Sequence, residues 1–471
     1  MKEFLEKTFK LNNNKTNIKT EVLAGLTIFF AICYVTVVIP NQLTGFKGLT
    51  PQLWNACFVG GILSAVISTL VMAFVANKPL AVASGLGLNS FFFVSFVSQG
   101  LLSLNPVGSY QEGLAVVLLS GILFLVFNLT NITTYIFNNI PDCIKNSIPF
   151  GIGLFIAFLG LQNGGLVIKD ENTFVSFPVI AKMSFVEIIP VILSFIGFIL
   201  IIVFTKSKQK YLNRFAILFS ILITTISYYL LNFISKNTFD FTMLSLSEVF
   251  SDWYNIGFLG AFKGFKTLFQ FSNFGDVLNL ILLVFTFTLI STFDTLGAIL
   301  GTSTEPGMLD QFGNPKNTKE AFVSSSIGTI SSSLVGTSSV TPIMESHAGI
   351  LAGGRTGLTS LVTGLLFALC FFVAPIATLI PSCATAPVLI YIGVLICKSV
   401  SKIDFNNLIE ASVSFLTFIM MIATNSISNG ILIGSITYVL LMILTGKYSK
   451  KDLIISIIAV FGILRYAFVA L

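Results

Sequence analysis

Two carboxylates stand where a lipid-facing helix would carry none. Asp294 lies in the middle of LISTFDTLGAILG (289–301), and Glu345 lies within GTSSVTPIMESHAGILAGGRTG (336–357). Ionisable groups inside a bilayer are costly and face a cavity or a partner, so both read as functional. Either can accept N–H groups of a ligand or carry a proton across the membrane. Asn89, in VASGLGLNSFFF (82–93), can donate and accept hydrogen bonds, and Gly85 and Gly87 beside it allow close backbone approach. His347 is the single histidine of the chain. Two residues from Glu345, it points to a different face if that segment is helical, and packing or hydrogen bonding rather than proton relay is its expected role. Arg355 is expected to fix the end of the same stretch by charge and by hydrogen bonds to carbonyls. Phe91, Phe92 and Phe93 could offer a ring for stacking, but in a chain with 48 phenylalanines they read as packing.

These residues need a membrane scaffold around them. The chain has 471 residues, of which 55% are hydrophobic and 10% charged, with a mean hydropathy of +0.93. Soluble domains carry about 25% charged residues, so this is a polytopic membrane protein. The net charge of +6 does not imply nucleic acid, because the lysines fall mainly between apolar spans. Six cysteines without a CxxC pair, together with one histidine, argue against a structural zinc site or a disulfide framework. No metal and no cofactor beyond a coupling proton are expected.

Apolar stretches of roughly 20 residues mark the spans. They fall at 22–43, 54–76, 79–98, 113–133, 146–167, 186–205, 214–235, 276–302, 319–337, 338–352, 357–380, 384–400, 406–425 and 428–446, with an apolar tail after them. The first span is expected to serve as its own insertion signal. Basic clusters at Lys206, Lys208, Lys210 and Arg214, at Lys398 and Lys402, and at Lys447, Lys450 and Lys451 share one side if both termini are cytoplasmic. The run 82–93 and the run near 337–348 are offset by about 255 residues, as are the first and eighth spans. Each polar, glycine-rich run is therefore the third segment of a seven-span half. An odd number of spans inverts the second half relative to the first. Paired broken segments in inverted halves point to the binding site of a secondary transporter.

On these residues the chain resembles the AzgA-like purine permeases of the nucleobase–cation symporter-2 superfamily. The likeness runs through TEVLAGLTIFFAICYVTVVIPNQL (20–43), ASGLGLNSFFFV (83–94), FDTLGAILG (293–301), GTSSVTPIMES (336–346), AGGRTGLTSLVTGLLF (352–367) and ATAPVLIYIGVLI (384–396). The resemblance implies an all-α fold of fourteen transmembrane segments in two inverted sevens, with segments 3 and 10 broken by short β-strands. Segments 1–4 and 8–11 would form a core domain (22–133 and 276–380), and segments 5–7 and 12–14 a gate domain (134–235 and 381–446). The remainder would be a cytoplasmic N-terminal segment (1–21), an extracellular linker (236–275) and a C-terminal tail with an apolar helix (447–471).

The same resemblance implies import of guanine, hypoxanthine and adenine across the plasma membrane with protons, by alternating access, and no enzymatic activity. Asn89, Asp294 and Glu345 match the family's substrate-binding positions. Backbone groups near Gly87, Met344 and Ser346 are expected to border the base, and Glu345 and Asp294 to couple the proton. Expected partners are a purine base, the lipid bilayer and, as one option, a second copy in a homodimer, with no nucleic acid. The chain departs from the pattern at Ser84, Ser291, Pro342–Met344 and His347, which is where selectivity is expected to lie.

Two rivals share the fold. A xanthine or uracil permease would usually carry Asn-x-Gly after the tenth-segment acid, where this chain reads Glu345-Ser346-His347-Ala348-Gly349. An anion transporter would not be expected to place two carboxylates at its site.

Overall fold

The computed structural model describes residues 2–45, 51–98, 105–130, 140–170, 174–209, 212, 215–236, 245–270, 274–302, 317–373, 380–424 and 427–468. Lys210 and Arg214, read above as cytoplasmic charge, lie outside them. Eight helices among the described residues are long and apolar enough to cross a membrane, among them Pro106–Leu129, Asp142–Asn163 and Phe185–Thr205. Shorter apolar helices include Leu86–Val97, Gly357–Phe372, Leu408–Ala423 and Asn429–Leu444. The chain is a multi-pass, mostly helical membrane protein.

Two packing neighbourhoods emerge. Asp142–Asn163, Phe185–Thr205, Ala216–Lys236, Ser382–Ile396, Leu408–Ala423 and Ile427–Leu444 pack on one another. Ile18–Ile32, Pro51–Val71, Pro106–Leu129, Phe274–Thr302, Thr318–Val335 and Gly357–Leu369 form the other group. Small residues permit the close crossings expected between membrane helices. A Cβ on Gly60 would stand 2.2 Å from the carbonyl oxygen of Gly336.

The site is organised by four short strands' worth of broken backbone, of which one pair matters. β1 (Val82–Ser84) and β4 (Val340–Pro342) pair antiparallel, with Ala83 opposite Thr341; β2 (Ile168–Asp170) and β3 (Phe174–Ser176) form a separate hairpin. Strand edges in a bilayer must find partners within the protein. Thr69, on Pro51–Val71, does this for β1: its hydroxyl accepts from the Val82 N–H and donates to the Val82 carbonyl, each at 3.0 Å. Thr329 donates to the Val340 carbonyl at 3.3 Å, and Pro342 has no N–H to satisfy. Buried hydroxyls in helices therefore stand in for the missing neighbouring strands.

The stretch 236–275, read from sequence as a linker, carries the helices Leu246–Asp252 and Gly260–Leu268 among its described residues. It closes the end of Thr318–Val335. The Leu259 N–H donates to the Leu334 carbonyl at 2.8 Å, the Trp253 indole to the Val335 carbonyl at 2.7 Å, and the Tyr110 hydroxyl to the Gly336 carbonyl at 2.6 Å. These are carbonyls that a helix C-terminus leaves without intrahelical donors. Gly336, at φ +89°, ends that helix in the left-handed conformation that glycine adopts without strain.

Candidate functional site

Behind the β1–β4 pair lies a continuous polar network. The Ser84 hydroxyl donates to Asn89 Oδ1 at 2.5 Å, and Asn89 Nδ2 donates to Gln42 Oε1 at 3.4 Å. The Gly85 N–H reaches the Ser339 carbonyl at 3.1 Å. The Ser339 hydroxyl lies 2.8 Å from that of Ser291 and 3.1 Å from that of Thr329. Gln42, Ser84, Asn89, Ser291, Thr329 and Ser339 are all buried. Side chains from five separate segments thus meet where the two strands cross, and the network fixes their register.

Glu345 lies beyond β4. The chain passes Pro342, takes one 3-10 turn over Met344–Ser346 and enters the short helix His347–Leu351. The Ile343 N–H pairs with the Ala81 carbonyl at 2.9 Å, and the Ser346 hydroxyl accepts from the Ala81 N–H at 3.0 Å, so this turn is tied to the residues before β1. The Glu345 carboxylate accepts from the Tyr34 hydroxyl at 2.9 Å. It also lines an open chamber of about 740 Å³, within the range of roughly 300–1,000 Å³ usual for small-molecule sites. One wall comes from Ile18–Ile32 and the turn after β4; the other comes from Thr205, Ser207, Lys208 and residues 215–218 together with Tyr391 and Leu395. The chamber therefore lies between the two packing neighbourhoods. Lys208 stands on its rim.

The other residues singled out from sequence divide into two sets. Asp294 is half-buried on Phe274–Thr302, the helix that packs against β4, the 3-10 turn and His347–Leu351. It stands one turn from Ser291 on the same helical face. Asn89 and Ser346 are completely buried, Gly87 is buried, and the polar side chains of the first two are engaged by protein groups. Met344 begins the 3-10 turn. His347 lines the chamber together with Glu345. The expectation of a different face assumed a continuous helix, and the change from 3-10 turn to helix between the two residues removes that assumption. Its Nδ1 is buried and finds no hydrogen-bond partner among the described residues. Phe91 and Phe92 are core residues, with the Phe91 ring 4.9 Å from that of Phe287. Arg355 behaves as expected: its guanidinium donates to the Ile350 and Gly354 carbonyls at 2.6 and 2.8 Å.

Three contributors escaped the sequence reading. Tyr34 and Gln42 lie in the first span, which looks like uninterrupted apolar helix except for Pro40, the only local signal of a break there. Glu21 is fully buried and binds the start of Gly357–Leu369. Its Oε1 accepts from the Arg355 N–H at 2.9 Å, and its Oε2 from the N–H and hydroxyl of both Thr356 and Thr359. A carboxylate at a helix N-terminus satisfies orphan amides and complements the dipole.

Comparison with known proteins gives the chain its relatives. The model of the Permease family matches residues 19–433. The chain is 32% identical over 466 residues to "Adenine permease AdeP" of Escherichia coli strain K12, covering 99% of this chain and 96% of that protein. It is 33% identical over 458 residues to "Guanine/hypoxanthine permease PbuO" of Bacillus subtilis strain 168, covering 96% and 98% of the two chains. Among solved structures, the transmembrane domain of the cyanobacterial bicarbonate transporter BicA superposes with a TM-score of 0.62 at 14% identity, covering 87% of this chain and 96% of that one. That last likeness is one of fold alone.

Proposed function

This chain belongs to the Permease family, and from that membership we propose that it imports purine nucleobases across the membrane. It is a transporter and not an enzyme. The observation that carries the reading is the near-full-length likeness to permeases named for adenine and for guanine and hypoxanthine, joined to a carboxylate, Glu345, facing a chamber of small-molecule size.

In the finer picture, fourteen segments form two inverted sevens, with a core (22–133 and 276–380) moving against a gate (134–235 and 381–446). Support comes from the two packing neighbourhoods and from the β1–β4 crossing of the two glycine-rich runs. Both termini are cytoplasmic and the protein resides in the plasma membrane. The chamber, rimmed by Lys208, then opens inward. Glu345 and Asp294 accept N–H groups of the base and carry the coupling proton. The backbone around Gly87 and Met344 borders the base, while Asn89 and Ser346 hold the two broken segments in register. A proton on one of the carboxyls favours the loaded state, and the return of the empty core completes the cycle. A site of this kind rejects a base that lacks the matching donor, since a buried acceptor would stay unpaired.

The test is uptake of labelled adenine, guanine and hypoxanthine in a host deficient in purine transport, with unlabelled xanthine, uracil and sulfate as competitors and a protonophore added. Competition by the three purines, and loss of uphill accumulation with the protonophore, supports the reading. Competition by xanthine and uracil alone, or by sulfate, refutes it.

A further inference from the structure

The stretch 246–268 carries an apolar surface to which the transport account gives no task. It is fastened to the ends of three helices. Asn55, near the start of Pro51–Val71, donates to Asp252 at 2.7 Å. Gly264 packs on Gln111, near the start of Pro106–Leu129, so closely that a Cβ there would stand 2.0 Å from the Gln111 carbonyl oxygen. The Leu259 N–H meets the Leu334 carbonyl at the end of Thr318–Val335. At 1.5 Å per residue the 24 residues of Pro106–Leu129 reach about 36 Å, slightly more than the roughly 30 Å of bilayer hydrocarbon. Gln111 stands about 8 Å along that helix, so Gly260–Leu268 lies at the boundary between headgroups and acyl chains.

That short helix has three faces. Gly260, Ala261, Gly264 and Leu268 are buried. Phe262, Phe265 and Phe269 recur at the three- and four-residue spacing that keeps side chains on one face. Their rings follow one another at 6.3 and 5.5 Å, and Phe262 is 54% exposed. Lys263, Lys266 and Thr267 are exposed on a third face. Just upstream, Tyr254 is 64% exposed and stacks on Phe258 at 5.7 Å. A row of rings edged by lysines, at the level where helices leave the hydrocarbon, matches the chemistry of the phospholipid boundary.

We propose that the stretch 246–268 is a membrane-surface anchor whose aromatic face, centred on Phe262, enters the phospholipid boundary while Lys263 and Lys266 meet headgroup phosphates. The Lys263 ammonium gives one donor to the Asn255 carbonyl and keeps two for a phosphate. Two copies meeting through this face would bring the same lysines together, which favours lipid over a second copy as its cover. The three helices that hold the anchor belong to the packing neighbourhood of β1 and β4, so it is this neighbourhood that is tied to the bilayer surface.

The experiment places a fluorescent label on Phe262→Cys and on Thr267→Cys, in nanodiscs of phosphatidylcholine and phosphatidylglycerol, with labelled wild type giving the signal of the native cysteines. Quenching is read with iodide from water and with a phospholipid bearing a nitroxide high on its acyl chain. The label at 262 is expected to be quenched by the lipid nitroxide and to be at least about threefold less sensitive to iodide than the label at 267, as an apolar face buried about 5–10 Å in the boundary requires. Equal iodide quenching at the two positions places the face in water and overturns the proposal. Weak quenching by both agents at 262 shows that a second copy or another protein surface covers the face, and overturns it as well. If Phe262→Cys does not fold, Tyr254→Cys reads the same surface with the same two outcomes.

Discussion

Replacing Glu21 by alanine should loosen the molecule more than any ordinary surface change, although the residue is not among those lining the chamber. The fully buried carboxylate accepts the N–H groups of Arg355, Thr356 and Thr359 at 2.9, 3.3 and 3.2 Å, and the hydroxyls of Thr356 and Thr359 at 2.9 and 2.6 Å. The hydroxyls can turn to other acceptors and the Thr359 N–H keeps the Thr356 carbonyl at 3.2 Å, but the N–H groups of Arg355 and Thr356 lose their acceptor. Each buried donor left unmade costs about 1–3 kcal/mol, so with partial relaxation Glu21→Ala should lose roughly 4 kcal/mol. An unfolding entropy of about 2.1 cal/mol/K per residue amounts to roughly 1 kcal/mol/K for a chain of this length. The apparent Tm in detergent should then fall by at least about 4 °C, and by more if helices persist in the unfolded state and reduce that entropy. Glu21→Gln keeps one acceptor oxygen but turns an amide donor toward other donors, and should lose about half as much. Thermal unfolding followed by intrinsic fluorescence reads the effect. A Tm for Glu21→Ala within about 1 °C of wild type would refute the view that this carboxylate binds the first span to the helix Gly357–Leu369.

Two further predictions concern stability. Burial holds the Lys78 ammonium down, from 10.5 to about 8, with Glu320 opposing the shift, and its Nζ has no hydrogen-bond partner among the described residues. The unfolded chain binds more protons than the folded one between those two values. Wild-type stability should therefore rise with pH from about 8 to about 10.5, and Lys78→Met should abolish that rise and stabilise the protein at pH 7 by up to roughly 3 kcal/mol. Melting at pH 7 and pH 9.5 checks it, and an unchanged pH dependence in the variant contradicts it. Gly60→Ala would set a Cβ 2.2 Å from the Gly336 oxygen and 2.7 Å from that of Val335, both backbone atoms. It should cost about 1–3 kcal/mol or more and reduce the amount of folded protein in the membrane, whereas normal yield and Tm would show that the crossing can open.

Much of the site could be read from the sequence because membrane burial makes polar residues conspicuous. The runs at 82–93 and 336–357 carry glycines and hydroxyls that plain lipid-facing helix would not hold, and the structure pairs them as β1 and β4. Glu345 drew notice for the same reason and lines the chamber. Aromatic and aliphatic residues give no such signal. Tyr34 lies in ICYVTVVIP, where neither glycine nor an acid marks the break, and its meaning depends on a partner 311 positions away. Glu21 looked like the polar start of a span, because the helix end it caps is distant in sequence. Asn89 read as a residue able both to donate and to accept, and it does so, toward Gln42 and from Ser84. The sequence could not show that these partners are protein groups, since that depends on how the first and third segments pack.

The central claim, purine import through the carboxylate of Glu345, is tested most directly in proteoliposomes with an imposed inward proton gradient. Wild-type protein should accumulate labelled hypoxanthine above the external concentration, and Glu345→Gln, reconstituted at equal density and equally stable, should not. Equal uphill accumulation by the two proteins would contradict the account.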